Sequence, residues 1–126
     1  MTHTAGPPGA QDFAAWQSWL DAWNRHDLDA IMEHYADGVT FTSRVVVELG
    51  LAPSGSITGK AALRHVFATG LKADPELRFA PLHAFVGVEE HALHYTGFRR
   101  RAVIEIHALD AQGKIITARA YHGPRT

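Results

Sequence analysis

Residues 101–122 read RAVIEIHALDAQGKIITARAYH, and this stretch decides the class of fold. Two runs rich in β-branched and apolar residues, 101–109 and 114–122, predict strands, and the segment between them, Asp110 to Gly113, predicts a turn. Strands joined by so short a turn pair antiparallel. The stretch therefore predicts two neighbouring antiparallel strands.

The strand pattern continues toward the N-terminal side. Strand-like runs cover about 78–88 and 91–96, and the β-branched and aromatic run 39–49 predicts a further strand. Residues 50–59 are rich in Gly, Pro and Ser and predict a loop. Because Pro81 has no backbone N–H to donate, we expect it at a sheet edge or a bulge.

Helical spacing marks the segments before these strands. Apolar residues three and four positions apart predict a helix over about 12–25 and a second helix that follows its cap, Asp27, and ends at Asp37-Gly38. A third helix is predicted after Thr58-Gly59. The order α-α-β-α-β-β-β-β predicts an α+β domain over residues 12–123, in which three helices cover a bent, cone-shaped, mostly antiparallel sheet and leave a pocket. Residues 1–11 are expected to form a disordered leader.

The composition restricts the kinds of partner. A chain of 126 residues, 46% hydrophobic and 20% charged, suits one globular domain. Its formal net charge of −1 does not suggest a nucleic-acid or anionic-membrane partner. The absence of cysteine excludes thiolate ligands and cysteine nucleophiles. Since no apolar run approaches the ~20 residues needed to span a bilayer, we expect a soluble, cytoplasmic protein.

Five short strings, in this order and spacing, resemble the nuclear transport factor 2-like superfamily and, within it, the SnoaL-like and ketosteroid isomerase-like group. The strings are AWNRHDLDAI (22–31), YADGVTF (35–41), GKAALR (59–64), DPELRF (74–79) and DAQGKI (110–115). The resemblance runs from Phe13 to His122, and it implies an apolar pocket and a homodimer formed through the sheet. It does not imply one substrate, because the superfamily contains isomerases, cyclases, dehydratases, hydrolases and non-catalytic domains.

Three positions carry catalysis in the ketosteroid isomerases that the chain resembles. Their oxyanion tyrosine corresponds to Trp19, their aspartate base to Ser43 and their protonated aspartate to Glu105. An indole donates a hydrogen bond but does not titrate, and a lone serine is not a carboxylate base. The resemblance therefore implies that only Glu105 keeps its chemistry, which disfavours ketosteroid isomerisation by the familial mechanism.

Glu105 is the leading candidate for acid–base chemistry. His107 lies two residues further along the same strand, hence on the same face, and the resemblance places His122 in the concavity as well. In an apolar pocket, burial would raise the pKa of Glu105 and keep it protonated as a proton donor. The alternation also permits the opposite arrangement, with Ile104 and Ile106 inward and Glu105 solvated or in a dimer interface.

Aromatic residues supply much of the apolar bulk. Six of them, with Ser43, are expected to line the pocket and bind substrate: Trp19, Trp23, Tyr35, Phe41, Phe67 and Tyr95. Aromatic residues at helical spacing equally suit a core. His91 and His94 point to opposite faces of a strand, so no metal site is predicted. The run from Arg99 to Arg101 predicts exposed charges or an arginine that clamps a carboxylate.

Together these features predict a small pocket enzyme that needs no metal or organic cofactor. Glu105, assisted by His107 or His122, would transfer protons on a hydrophobic small molecule in an isomerase, cyclase, dehydratase or hydrolase reaction. The alternative is a non-catalytic domain of the same superfamily that binds a hydrophobic ligand or a partner and dimerises. The change at two of the three isomerase positions favours that alternative.

Overall fold

A computed structural model describes residues 16–124 of the chain. In this part the helices are α1 (Gln17–Asn24), α2 (Leu28–Met32), α3 (Arg44–Glu48) and α4 (Lys60–Ala73). The strands are β1 (Tyr35–Ser43), β2 (Ser56–Thr58), β3 (Ala80–Val86), β4 (Glu90–Thr96), β5 (Ala102–Leu109) and β6 (Ile115–His122). The predicted leader and the first four residues of the predicted first helix lie outside the described residues.

The six strands of the described chain form one sheet in the order β2-β1-β6-β5-β4-β3. β1 pairs parallel to β6, and every other neighbouring pair is antiparallel. The predicted α+β class with a mostly antiparallel sheet is confirmed. Between residues 16 and 124 no helix has the length and apolar character needed to cross a bilayer.

The two faces of the sheet differ sharply along β5. Glu105 and His107 are buried on the helix-covered face, whereas Ile104 is 49% exposed on the other. The residue pattern alone allowed Ile104 to face inward. A buried acid and a buried imidazole are tolerated here because they satisfy each other, with His107 Nε2 2.7 Å from Glu105 Oε2.

Two predicted boundaries around β1 are wrong. The second helix ends at Met32 rather than at Asp37, because Tyr35 already pairs with Ile115 of β6. The predicted strand 39–49 ends at Ser43, whose hydroxyl accepts a hydrogen bond from the Val45 N–H and caps α3. The cap outweighs the β propensity of the three valines that follow.

Two further segments concern the edges of the sheet. Residues 50–59, predicted as a loop, contain the short edge strand β2, which pairs with β1. On the opposite edge, the register of β3 against β4 shifts between Pro81 and His83. The prediction that Pro81 lies at an edge or a bulge is confirmed, since both hold. The structure thus has one more strand and one more helix in its described part than predicted.

Candidate active site

A cavity lies between α1, α4 and the covered face of the sheet. Its volume is about 60 Å³. Its apolar wall comes from three helices, two strands and the segments between them: Trp23, Phe41, Val45, Val66, Phe67, Gly70, Leu77, Phe79, Phe98 and Val103. Polar groups reach it from Ser43, Tyr95, Glu105 and His122. The site is an apolar chamber that meets a few titratable groups on one side.

Both oxygens of Glu105 are held by neighbouring side chains. The Tyr95 hydroxyl donates a short hydrogen bond to Oε1, and His107 Nε2 lies 2.7 Å from Oε2. Tyr95 on β4 reaches Glu105 because both strands point these residues to the same face. An ionised carboxylate only accepts, so the proton of this His107 contact lies on Nε2. Glu105 is therefore fixed in orientation while it borders the cavity.

The expectation that Glu105 is a protonated acid is wrong. Burial alone would raise its pKa, but the imidazole of His107, the hydrogen bonds from His107 and Tyr95 and the more distant His122 together lower the pKa below its ordinary value. Burial and the adjacent carboxylate raise the pKa of Tyr95 well above its ordinary value, so that its hydroxyl stays a donor. Near neutral pH the cavity contains a carboxylate.

His122 is the second titratable group at the cavity. Burial and the positive charge of Arg101 lower its pKa, against the smaller opposing effects of Glu105 and Glu48. Its Nδ1 is buried and has no hydrogen-bond partner among the residues that the structure describes. His122 is thus a neutral imidazole near pH 7, and one of its ring nitrogens has no partner among the described residues.

The arginine run is divided between the surface and the interior. Arg101 is 7% exposed and binds both carboxylate oxygens of Glu48 at 2.8 and 3.1 Å. Arg99 and Arg100 are exposed. The predicted carboxylate clamp is therefore Arg101, and its partner is Glu48 of the protein itself. This ion pair connects α3 to the start of β5.

The structure separates the predicted binding residues into two groups. Five of them line the cavity: Trp23, Phe41, Ser43, Phe67 and Tyr95. Trp19 and Tyr35 do not line it. They are buried elsewhere in the core, where the Trp19 indole donates a hydrogen bond to the Tyr35 hydroxyl at 3.1 Å. Trp19 instead borders a second cavity of about 270 Å³, together with Trp16 and His91. His107 acts on the first cavity only through Glu105.

Sequence reasoning missed several wall residues, above all Phe98. Phe98 follows Gly97 in the turn between β4 and β5, where turn residues are ordinarily polar and exposed. An aromatic residue in an otherwise basic turn was the available signal. As for metals, the described residues contain no group of three or more His, Asp or Glu side chains placed to hold an ion.

Fold and site together define a small α+β domain with an enclosed pocket between helices and sheet. The chain belongs to the SnoaL-like domain family, whose model matches residues 16–122. It is 34% identical to a SnoaL-like protein of unknown function from Burkholderia thailandensis, with 94% of this chain and 100% of that chain covered and a TM-score of 0.82. No curated protein matches the sequence.

Two more distant structures show the same fold. A proposed isomerase of the SnoaL-like family from Agrobacterium tumefaciens is 13% identical, with 90% of this chain and 98% of that chain covered and a TM-score of 0.69. A proposed polyketide cyclase from Sinorhizobium meliloti is 15% identical, with 84% and 92% covered and a TM-score of 0.68.

Proposed function

We propose that this protein is a cofactor-independent enzyme that moves a proton on a small hydrophobic molecule, with Glu105 as the base. The observation that carries the proposal is an oriented carboxylate at the border of an apolar cavity, with a neutral imidazole, His122, at the same cavity. The isomerase and cyclase names given to two distant structural neighbours agree with this class of reaction.

The chemistry follows from the positions of the two groups. Glu105 accepts a proton from a carbon next to a carbonyl, the C–H electron pair moves into an enolate, and the proton returns to the same or another carbon. His122, as a neutral imidazole, donates a hydrogen bond from its ring N–H to the oxygen that carries the developing charge. Tyr95 and His107 position Glu105, and the aromatic wall, with Trp23 and Phe67, orients the apolar part of the substrate. An apolar surrounding strengthens each of these electrostatic contacts.

Exchange of α protons for deuterium tests the proposal without knowledge of the natural substrate. The protein is incubated in D₂O with the one-ring ketone cyclohexanone, and loss of the α-proton signal is followed by NMR. We expect exchange above the buffer rate, and Glu105→Gln should lower the enzymatic part by about 100-fold. Glu90→Gln is the matched control, because Glu90 is half exposed and pairs with Arg119 away from the cavity. Equal rates in both variants would remove Glu105 from the mechanism.

The second candidate function is non-catalytic binding of a hydrophobic ligand. It is favoured by one observation, that both oxygens of Glu105 already have partners within the protein. Ketones that bind with the same affinity to the wild type and to Glu105→Gln, without α-proton exchange, would support it.

We further propose that the exposed face of the sheet joins two copies of the chain. Ile104 and Tyr121 are direct cross-strand partners on this face and are 49% and 57% exposed. Exposed apolar side chains in contact with each other are typical of protein interfaces. Sedimentation should give a dimer for the wild type and a monomer for Ile104→Lys, whereas Val47→Lys, on the helix side, should stay dimeric. A monomeric wild type excludes the dimer.

A further inference from the structure

Phe98 forms the part of the cavity wall next to the solvent. Its side chain lines the cavity and is 6% exposed, whereas the two residues after it, Arg99 and Arg100, are exposed. The ring lies beside α4, since a Cβ placed on Gly70 would be 4.0 Å from Phe98 Cε1. Phe98 is therefore the residue by which this exposed turn contributes to the cavity wall.

The turn that carries Phe98 has a disfavoured backbone conformation. Arg99 has φ 53° and ψ 33°, and Arg100 has φ 61°. Both lie in the left-handed region, which residues with a Cβ rarely occupy. Two such residues in succession persist only where surrounding contacts impose the conformation.

Asp74, at the end of α4, supplies those contacts. Its buried carboxylate accepts a hydrogen bond from the Arg99 N–H at 2.7 Å and another from Arg100 Nη1 at 3.2 Å. The guanidinium of Arg99 in turn lies over the Phe98 ring, with Cζ 4.8 Å from the ring centroid. Displacement of the turn, and of Phe98 with it, therefore requires the two hydrogen bonds to Asp74 to break.

With Phe98 in this position the cavity volume is about 60 Å³. Ordinary small-molecule pockets have roughly 300–1,000 Å³. We propose that Phe98 determines the size of the ligand admitted to this cavity, and that Asp74 is the positioning residue that holds Phe98 in place. Displacement of the turn opens the cavity to solvent and adds the space of a benzyl group, which a ligand of two fused rings requires.

This inference rests on the proposed function only in taking the cavity as the ligand site, and it requires no proton transfer. Binding of a one-ring and a two-ring ketone, cyclohexanone and 1-tetralone, to the full chain is measured by titration calorimetry. Phe98→Ala should raise the affinity for 1-tetralone relative to cyclohexanone by roughly tenfold or more. An unchanged ratio in folded Phe98→Ala, or no binding of either ketone to it, overturns the proposal.

The matched control acts on the turn between β5 and β6. There Asp110 accepts hydrogen bonds from the Gln112 and Lys114 N–H groups, so its carboxylate holds a turn as that of Asp74 does, although Asp110 belongs to the turn itself. Asp110 does not line the cavity, so Asp110→Ala should leave the ratio of the two affinities as in the wild type. A ratio that shifts equally in Asp110→Ala would show that any loosened turn has this effect, and would overturn the role of Phe98.

Hydrogen exchange tests the role of Asp74 without a ligand. In Asp74→Ala, exchange should become roughly tenfold faster or more at the amides of the whole turn, Phe98 to Arg101, and not at Arg99 alone. Faster exchange confined to Arg99 would mean that Asp74 does not hold Phe98. If the size effects occur while the α protons of cyclohexanone do not exchange in D₂O, the role of Phe98 stands and the proposed proton transfer fails.

Discussion

His107 Nε2 lies 2.7 Å from Glu105 Oε2, and His107 is fully buried behind the cavity that Glu105 borders. The imidazole ring packs against two indoles, with ring centroids 5.4 Å from Trp16 and 5.3 Å from Trp19. His107 therefore supports the carboxylate without lining the cavity itself. The contact with His107 helps to lower the pKa of Glu105, so the contribution of Glu105 to folding stability changes with pH.

Glu105→Gln should change the dependence of stability on pH. The pKa of Glu105 in the folded protein is below the ordinary value of 4.5, so its charge stabilises the fold above that pH, and this contribution is lost as the pH falls through the lowered pKa. We expect Glu105→Gln to lower the free energy of unfolding by about 3 kcal/mol at neutral pH. Urea unfolding at several pH values should show this difference shrink below pH 4.5. A difference that does not depend on pH would contradict the assignment.

Tyr95→Phe should remove one hydrogen bond and little else. The ring stays packed, because its centroid lies 4.6 Å from that of Phe79 and 5.7 Å from that of Trp19. Loss of the donor to a buried carboxylate should lower the free energy of unfolding by about 1.5–3 kcal/mol and raise the pKa of Glu105. Tyr121→Phe, at an exposed position, is the control, and thermal and urea unfolding measure both. Equal stabilities would mean that the Tyr95 hydroxyl contributes nothing.

Arg101→Met should raise the pKa of His122. Burial is the largest cause of its lowered pKa and remains, but the second cause, the charge of Arg101, is removed. The His122 midpoint, followed by NMR of the imidazole, should move up. Glu48→Gln removes a charge of the opposite sign and should move the midpoint down. A shift in the same direction in both variants would point to a conformational cause.

Gly97→Ala should destabilise the turn beside the cavity. A Cβ on Gly97 would lie 2.8 Å from Tyr95 Cε2 and 3.2 Å from Phe79 Cε1. The Tyr95 ring cannot yield easily, because its hydroxyl is bonded to Glu105. We expect a loss of about 1–3 kcal/mol in the free energy of unfolding. Gly38→Ala, where no atom lies within 4 Å, should change stability by less. A neutral Gly97→Ala would show that the turn relaxes at little cost.

The strands could be predicted from the sequence where turn-forming residues lie next to a run of residues with strand propensity. The residues Asp110 to Gly113 indicated the turn between β5 and β6, and the missing N–H of Pro81 indicated its place at an edge or a bulge. The direction in which Glu105 points could not be predicted from the alternation of apolar and polar residues, because the pattern equally allowed Ile104 and Ile106 to face the interior. The resemblance to an enzyme family, rather than hydrophobic pattern, favoured the arrangement that the structure has.

The errors have local causes. Tyr35 lies three residues after Met32, a spacing that suits a helix. It is nevertheless the first residue of β1, because it pairs with Ile115 of β6. The three valines after Ser43 have strand propensity but lie in α3, because the Ser43 hydroxyl caps the helix. The lowered pKa of Glu105 depends on His107 and on two side chains from other strands, Tyr95 and His122, and no local pattern gives their distances.

The two edges of the sheet limit how the protein can aggregate. One edge is β2, only three residues long, and the other is β3, interrupted near Pro81. A long row of free N–H and C=O groups is what allows strands of separate molecules to join into fibrils, and neither edge presents one. Within the described residues, pairing between molecules is therefore more restricted at β2 than at β3, where Phe85 and Val86 are 60% and 77% exposed.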